Sequence, residues 1–222
     1  MNNTHIWNNF YRNLPNPMYY PNEHLIRFIS DWNRHIKERG SIRILDHGCG
    51  SCNNTIYLAR KGFMVYGLDI SEEAIKIGKT DLKASRINCD LRVGEMCTCN
   101  YTDSFFNMII DIQTIQHNVF KDIKKTIDEF KRVLIKGGIF FGMMVSVEDH
   151  SFKKGRLIEP GTLTEIVDST FSIVGHGITH FFSLSELKTL FDGWSYLKIE
   201  EAMYTRKSMT EKIVYYLVEA EK

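Results

Sequence analysis

The sequence predicts a doubly wound α/β fold with a mostly parallel sheet. Residues 42–45, three of which are aliphatic, end on Asp46, and a glycine-containing loop and a helix-forming segment follow. A second apolar run, residues 63–68, then stops on Asp69. Because strand, tight loop, helix and strand follow one another in this order, residues 42–69 are interpreted as one βαβ half of such a sheet.

The loop after the first strand indicates a nucleoside site. Asp69 lies about 20 residues beyond the loop, at the tip of the neighbouring strand, where a carboxylate accepts both hydroxyls of a ribose. Gly48 and Gly50 let the backbone approach a ligand closely. Asn53 replaces the third glycine of a dinucleotide fingerprint, and Asp46 ahead of the glycines would repel a pyrophosphate. The pattern therefore favours a cationic ligand, such as the sulfonium or amino group of S-adenosylmethionine.

The rest of the chain supplies further strands and helices in alternation. Apolar spacing predicts helices over residues 23–39 and 120–134, and Ser71 and Ser183 each precede a helix as N-cap residues. The predicted strands are 42–45, 63–68, 89–93, 106–110, 139–144, 196–204 and 212–219.

Three motifs resemble those of the class I S-adenosylmethionine-dependent methyltransferases of the small-molecule type. The family's first motif, Leu-Asp-x-Gly-Cys-Gly-x-Gly, matches residues 45–52, with Cys52 in place of the last glycine. Residues 132–138, Arg-Val-Leu-Ile-Lys-Gly-Gly, are close to the family's Arg-Val-Leu-Lys-Pro-Gly-Gly. Residues 179–183 form a Thr-His-Phe-Phe-Ser segment before the last helix. The resemblance implies a Rossmann-like sheet of seven strands, with helices on both faces and an antiparallel last strand.

The resemblance also implies S-adenosyl-L-methionine as cofactor and S-adenosyl-L-homocysteine as product. In the family pattern, an acid near Glu95 accepts a hydrogen bond from the adenine amino group and Met96 packs on the ring. Aromatic residues of the N-terminal segment are expected to close over the adenosine or the substrate. The predicted cofactor-binding residues are Tyr11, Tyr20, Asp46, Gly48, Cys49, Gly50, Asn54, Asp69, Ile70, Glu95, Met96 and Asp111.

Two histidines are candidate general bases. A sulfonium methyl group is already activated, so the protein mainly holds the acceptor in line and, for a hydroxyl or a protonated amine, supplies a base. His117 lies just past the fourth strand, and His180 lies in an insertion, residues 145–182. The alternative for both is a packing role, for His117 beneath the cofactor.

Two segments outside the common core are expected to build the acceptor pocket. They are the aromatic N-terminal residues 1–21, interpreted as a cover, and the insertion 145–182. The alternative for the first segment is packing against the sheet edge. The aromatic side chains offered as pocket walls are Trp7, Tyr11, Tyr19, Tyr20, Phe181 and Phe182, and Pro15, Pro17 and Pro21 limit the freedom of the cover.

No metal is predicted, although cysteines offer a rival interpretation. Cys49 and Cys52, with Cys97 and Cys99, fall in loops at one edge of adjacent strands, so four thiols at that edge would form a zinc or redox site. Free thiols are the preferred interpretation, because the first loop is already engaged with the cofactor. Residues 148–150, Glu-Asp-His, are a second, less favoured metal-binding group.

The composition of the chain limits the kinds of molecule expected to accept the methyl group. The chain has 222 residues with 28 basic and 27 acidic side chains, and it lacks a linker-like stretch, so residues 1–222 are expected to form one domain. This even charge argues against nucleic acid, and no segment reads as a signal peptide or a membrane span. We expect a cytoplasmic enzyme acting on a hydroxyl or amine of a small metabolite such as a sugar nucleotide, with its oligomeric state open. RNA or protein methylation and a non-catalytic cofactor-binding module are the alternatives.

Overall fold

A computed structural model describes residues 3–14, 20–167 and 175–222 of the protein. Pro15, Pro17 and Tyr19 of the expected cover lie outside these residues. The described part of the chain forms one sheet of seven strands and one of three. In chain order the strands are β1 Arg43–His47, β2 Met64–Asp69, β3 Asp90–Val93, β4 Phe106–Ile112, β5 Leu134–Val145, β6 Arg156–Glu159, β7 Thr162–Thr164, β8 Thr179–His180, β9 Tyr196–Arg206 and β10 Glu211–Glu221.

The larger sheet has the strand order β3-β2-β1-β4-β5-β10-β9. Neighbouring strands from β3 to β5 are parallel, and β10 is antiparallel to both β5 and β9. This arrangement confirms the predicted Rossmann-like fold with an antiparallel last strand. The chain progresses outward from β1 on one side and from β4 on the other, so a switch point lies between these two strands. Ligands of doubly wound sheets bind outside the carboxyl ends of the strands at such a point.

Six α-helices lie in the described residues: α1 Thr4–Arg12, α2 Glu23–Trp32, α3 Asn53–Arg60, α4 Glu72–Ala84, α5 Phe120–Val133 and α6 Leu184–Leu190. The prediction of a helix through residue 39 is wrong, because α2 ends at Trp32 and short 3₁₀ turns follow. Asn33, whose short amide favours turns over helix interiors, accepts a hydrogen bond from Arg39 there. Among the helices of the described ranges, none has the length and apolar character that a membrane span requires.

Helices cover both faces of the sheet because neighbouring residues of each strand point to opposite sides. On β1, Ile44 packs with Leu25 of α2 and Leu58 of α3 on one face. The next residue, Leu45, packs with Phe130 of α5 on the other face. Both clusters consist of residues that are nearly or completely buried. Two hydrophobic cores therefore hold the strand tips, and with them the loops, in place.

The segment 145–182 carries the small sheet β6-β7-β8 and returns to the end of β5. The Val147 amide donates to the Phe182 carbonyl at 2.9 Å, and the Phe182 amide donates to the Val145 carbonyl at 2.9 Å. This pairing places Phe181 and Phe182 in the core, where both are fully buried. The prediction that they form walls of an acceptor pocket is therefore wrong.

Candidate active site

A cavity of about 630 Å³ lies at the carboxyl ends of the strands. On one side its walls include Asp69 at the tip of β2 and Gly94 after β3. On the other side they include Ile112 at the end of β4 and Gln113 after it. The cavity therefore spans the switch point between β1 and β4, and its size is typical of a small-molecule site.

The glycine loop after β1 forms the floor of the cavity. Gly48 and Gly50 have φ angles of +70° and +53°, in the left-handed region that glycine adopts without strain. A Cβ atom at Gly48 would collide with the Thr114 side chain, and one at Gly50 would collide with the Tyr11 hydroxyl. The loop thus lies between α1 and the segment after β4, where a larger residue has no space.

Cys52 occupies the place of the motif's last glycine and takes a glycine-like conformation. Its φ angle is +72°, and it forms the N-cap of α3. Its side chain is fully buried beside Gly78 of α4, where a Cβ atom would collide with the Cys52 sulfur. The loop therefore keeps its left-handed turn, and Gly78 accommodates the added thiol.

Asp69 is held rigidly in the cavity wall. Its Oδ2 accepts from the Gly50 amide and its Oδ1 from the Ser71 amide, both at 2.8 Å. Burial raises the pKa of this carboxyl, while the two backbone donors act in the opposite direction. Since a carboxylate has about four acceptor positions, each oxygen keeps capacity for a further donor from a ligand.

The structure brings most of the predicted cofactor-binding residues to the cavity. Asn54 lines it and also accepts, through Oδ1, a hydrogen bond from the Asn22 amide at 2.9 Å. Asp46, Glu95 and Asp111 are not part of the wall. The predicted residues that line the cavity are Tyr11, Tyr20, Gly48, Cys49, Gly50, Asn54, Asp69, Ile70 and Met96.

Asp46 lies beneath the glycine loop, contrary to the expected direct contact with the ligand. Its Oδ2 accepts from the Thr55 hydroxyl of α3 at 2.6 Å, and the carboxyl is almost completely buried. Burial, together with the smaller effect of the negative charges of Asp69 and Asp111, raises its pKa to about 7 against the lowering effect of the Thr55 hydrogen bond. Asp46 therefore acts on the cavity through its charge.

Asp111 and Glu95 also differ from their expected roles. Asp111 is fully buried, and its Oδ1 accepts from the Thr114 and Ile115 amides at 3.1 Å each. Its Oδ2 accepts from the Nδ1 of His47. Glu95 is exposed on the loop after β3, outside the cavity wall. Asp111 thus positions the segment after β4. Of the predicted adenine-binding residues Glu95 and Met96, Met96 is the one that lines the cavity.

Helix α1 lies over the cavity and is attached to the elements on both sides of it. Asn8 accepts, through Oδ1, from the Ser71 hydroxyl at 2.8 Å and from the Glu73 amide at 3.3 Å. Asn3 donates from Nδ2 to the His117 carbonyl at 3.1 Å. Trp7, Phe10 and Tyr11 line the cavity from this helix. The described part of the expected cover thus contacts the elements on both sides of the switch point.

His117 lies in the cavity wall as a neutral imidazole. Its Nδ1 donates to the Ile178 carbonyl at 3.2 Å, so the lone pair is on Nε2. Burial, together with the charge of His176, lowers its pKa to about 3. Its ring is 5.0 Å from the Trp7 ring and 6.1 Å from the His176 ring. The described geometry is compatible with either a weak base or a packing role.

His180 does not reach the cavity, so the structure contradicts its assignment as a base. Its Nδ1 pairs with the Thr162 hydroxyl at 2.7 Å and its Nε2 with Glu186 at 3.0 Å. The ring is fully buried and stacks on Phe120. His180 connects the small sheet to α6.

The hairpin of β9 and β10 contributes to the cavity and was missed in the sequence. Tyr204, Arg206 and Tyr215 line the wall on the side of β4. Because β10 is antiparallel to β5, the turn before it lies at the same edge as the carboxyl ends of the parallel strands. The expected antiparallel strand was therefore the signal that would have found them. The insertion contributes His176 in addition.

The rival metal groups have other roles in the structure. The Cys49 and Cys52 sulfurs are 3.9 Å apart and buried, and the Cys97 sulfur accepts from the Thr126 hydroxyl. The two Asp149 carboxylate oxygens accept from backbone amides at 2.9 and 3.0 Å. Within the described ranges, no three histidine, cysteine or acidic side chains form a metal-binding group.

The parallel sheet, the glycine loop and the fixed Asp69 define a nucleoside-binding protein of the Rossmann-like type. Residues 44–138 match the family model for a methyltransferase domain. Among curated proteins, the chain is 30% identical over 103 residues to a ubiquinone biosynthesis O-methyltransferase of Pelagibacter ubique. This alignment covers 46% of the chain and 41% of the relative. An enzyme of the same name from Rhizobium etli is 28% identical over 45% of the chain and 40% of the relative. The chain thus aligns with less than half the length of these relatives.

Solved structures share the fold over nearly the whole chain. A structure concerned with conversion of a disulfide bond into a thioacetal group during echinomycin biosynthesis has a TM-score of 0.73 at 18% identity, covering 99% of this chain and 92% of that one. A S-adenosylmethionine-dependent methyltransferase of Methanosarcina mazei has a TM-score of 0.69 at 22% identity, covering 91% and 98%. Residues 44–138 thus match a methyltransferase domain, and the chain shares its fold with S-adenosylmethionine-dependent methyltransferases.

The residues of the cavity fit the cofactor of this class, S-adenosylmethionine. The glycine loop leaves space that a Cβ atom at Gly48 or Gly50 would disturb, and Asp69 retains acceptor capacity for a ribose diol. Met96 and Ile70 supply apolar wall on the same side. These residues would hold the adenosine part of the cofactor, as the first motif predicts.

Proposed function

We propose that the protein transfers a methyl group from S-adenosylmethionine to a hydroxyl or amine of a small molecule. The observation that carries this proposal is the extent of the cavity across the switch point. Asp69 and the glycine loop assign the side of the cavity next to β2 and β3 to the cofactor. The side between Gln113 and the β9–β10 hairpin has no counterpart in the cofactor motifs, and we assign it to the acceptor.

Enclosure of the cavity supports a small acceptor. Helix α1 lies across the cavity and is tied to α4 through Asn8 and to the segment after β4 through Asn3. A cover of this kind reduces the access of water and of a macromolecule to the cavity. The even balance of charge also argues against RNA. A small-molecule acceptor is therefore preferred to RNA or protein.

Methyl transfer requires little of the protein beyond positioning the acceptor. When bound, the cofactor supplies a methyl group activated by a sulfonium. The chain holds the acceptor in line with it and excludes water. A neutral hydroxyl that gains a methyl group becomes a strongly acidic oxonium, so a weak base is sufficient to accept its proton, whereas a methylated amine is a stable ammonium that needs no such base. We propose that the Nε2 of His117 accepts this proton, with the packing role as the alternative.

A hydroxyl is the preferred acceptor group. The Pelagibacter and Rhizobium relatives are both named as O-methyltransferases. The alignments cover less than half of each relative, so this preference rests on likeness and extends to no particular substrate.

Transfer of a labelled methyl group tests the proposed function. The protein is incubated with S-adenosylmethionine carrying a labelled methyl group, and separately with a small-molecule extract, bulk RNA and denatured protein. We expect label in the small-molecule fraction and none above background in the other two. Label confined to RNA or protein would contradict the proposal, and cofactor binding without transfer to any fraction would favour a non-catalytic module.

A further inference from the structure

The wall of the cavity carries opposite charges at its two ends. Asp69 lies on the side of β2, and Arg206 lies on the β9–β10 hairpin at the other side. Among the described wall residues, Arg206 is the one arginine or lysine. An arginine guanidinium stays protonated at any physiological pH. The side assigned to the acceptor therefore presents a permanent positive charge.

Neighbouring groups fix this guanidinium and leave it with a net charge. Glu211 lies directly opposite Arg206 across the hairpin, and its Oε2 accepts from Nε and Nη2 at 3.1 and 2.6 Å. The other oxygen of Glu211 pairs with Lys207 at 2.5 Å. Arg206 and Lys207 thus share one buried carboxylate, so Glu211 does not neutralise the guanidinium alone. In the described residues the Nη1 of Arg206 has no hydrogen-bond partner and remains available for an anion.

Aromatic side chains accompany the charge. Tyr204 and Arg206 are two residues apart on β9, so they share one face of the strand. Tyr215 pairs with Ala202 and belongs to the same face. Tyr204, Arg206 and Tyr215 line the cavity, and Trp7 lies in its wall from α1. Such walls suit a flat, apolar ligand body next to an anionic group.

Gln113 supplies a hydrogen-bond acceptor on the β4 side of the same cavity. It follows β4 with a φ angle of +61°, held by a hydrogen bond from its amide to the Met143 carbonyl at 2.9 Å. Its Oε1 is buried and has no hydrogen-bond partner in the described residues. A buried amide oxygen without a donor is unfavourable, and a ligand hydroxyl or amine would satisfy it.

We propose that the methyl acceptor is a small aromatic acid that binds between Arg206 and Gln113. Its carboxylate pairs with the guanidinium of Arg206, its ring lies against the tyrosines of the hairpin, and before transfer its hydroxyl or amine donates to the Oε1 of Gln113; the Nε2 of His117 accepts the proton only after the methyl group has been transferred. This proposal rests on the proposed function and names its substrate class. A carboxylate is also present on the cofactor, so the test separates the two sources.

Comparing the binding of an acid with that of its amide tests the role of the positive charge of Arg206. Calorimetry measures the affinities of 4-hydroxybenzoate and 4-hydroxybenzamide for protein saturated with S-adenosylhomocysteine. The parent should bind the acid at least about tenfold more tightly than the amide, as expected for a charge-assisted hydrogen bond. Arg206→Gln should remove this preference, and Glu211→Gln should increase it because the guanidinium loses its competing partner. Lys198→Gln, which removes an exposed charge of the same strand outside the cavity, should leave the preference unchanged.

A second comparison tests Gln113. Benzoate lacks the hydroxyl, so 4-hydroxybenzoate should bind more tightly than benzoate to the parent. Gln113→Met, of similar size and without the amide, should remove most of this difference while keeping the preference for the acid over the amide. Circular dichroism and S-adenosylhomocysteine affinity verify that each variant is folded.

Three outcomes would overturn the substrate class. They are equal or absent binding of acid and amide by the parent, an acid preference that survives Arg206→Gln, and a loss of S-adenosylhomocysteine affinity in Arg206→Gln with no change for the acid. The last would assign the arginine to the carboxylate of the cofactor. Failure of the parent to bind S-adenosylhomocysteine at all would instead contradict the proposed function.

Discussion

The Nδ1 of His47 lies 2.7 Å from the Oδ2 of Asp111, and both side chains are completely buried. The pair joins the end of β1 to the end of β4 directly beneath the switch point. The other ring nitrogen of His47 is 3.3 Å from the Met96 carbonyl of the loop after β3. Together with the amides that Asp111 binds, this contact connects three loops that carry cavity residues.

Replacing Asp111 should therefore destabilise the fold more than replacing an exposed acid. Asp111→Asn removes a charge-assisted hydrogen bond in the core and should lower the free energy of unfolding by about 1.5–3 kcal/mol. Urea denaturation followed by circular dichroism measures this value. Asp90→Asn, which breaks an exposed pair with Arg92, is the control and should cost roughly 0–1 kcal/mol. Equal effects of the two substitutions would show that the buried pair has no special importance.

His117 should affect turnover without the usual histidine pH dependence. If its Nε2 accepts the proton, His117→Ala should lower turnover roughly 100-fold at pH 7 with little change in cofactor affinity. The pKa of about 3 keeps the imidazole neutral above pH 5, so the parent should show no inflection from this residue between pH 5 and 8. Turnover of His117→Ala at the parent rate would assign His117 to packing.

The same depressed pKa predicts how His117 affects stability. An unfolded histidine titrates near pH 6.5, so between about pH 6.5 and 3 the unfolded chain binds more protons at this residue than the folded chain. The contribution to stability therefore decreases as the pH falls through this window. His117→Gln should reduce the acid-induced loss of stability, which unfolding curves at pH 7 and pH 5 would measure.

Asp46 should make cofactor binding depend on pH. Its pKa of about 7 means that near neutrality the buried carboxyl is partly protonated. A cation bound in the cavity above it favours the charged form, so binding of S-adenosylmethionine should release protons and tighten as pH rises. Between pH 6 and 8 we expect roughly a three- to tenfold gain in affinity, measured by calorimetry. Asp46→Asn should show a flatter profile, and an unchanged profile would rule out the linkage.

Helix α1 should be needed for transfer more than for folding. Asn8→Ala removes the acceptor that binds Ser71 and Glu73, and should speed hydrogen exchange in α1 and lower turnover about tenfold. Asn9→Ala is the matched control on the same helix, because its side chain is exposed and contacts only Arg12 among the described residues. Deleting residues 1–12 should abolish transfer while leaving a folded chain that binds cofactor less tightly. Normal transfer by the deletion variant would mean that α1 does not cover the reaction.

The residues of the site whose spacing is typical of a βαβ unit could be predicted from the sequence. Asp69 and the glycine loop were expected because the distance between them follows from one βαβ unit. The directions of the other acids were not expected. Asp46 and Asp111 also lie near strand ends, but Thr55 and His47 bind them below the loop. A sequence shows where a strand ends and not which side of the tip a side chain occupies.

The acceptor side was harder to predict because it depends on contacts between distant segments. Phe181 and Phe182 suit a pocket by composition, yet their segment pairs with the end of β5 and buries both rings. Arg206 belongs to no motif and reaches the cavity only because the antiparallel β10 reverses the chain at this edge. Such tertiary placement follows from the sheet as a whole.

Calorimetric titration of the parent and of Asp69→Ala with S-adenosylmethionine tests the central claim most directly. The parent should bind one equivalent, and the variant should bind about 1.5–3 kcal/mol more weakly, as expected for loss of a hydrogen-bonded charged partner. Circular dichroism should show the same fold for both proteins. Undiminished binding by Asp69→Ala, or no binding by the parent, would contradict the assignment of this cavity to the cofactor.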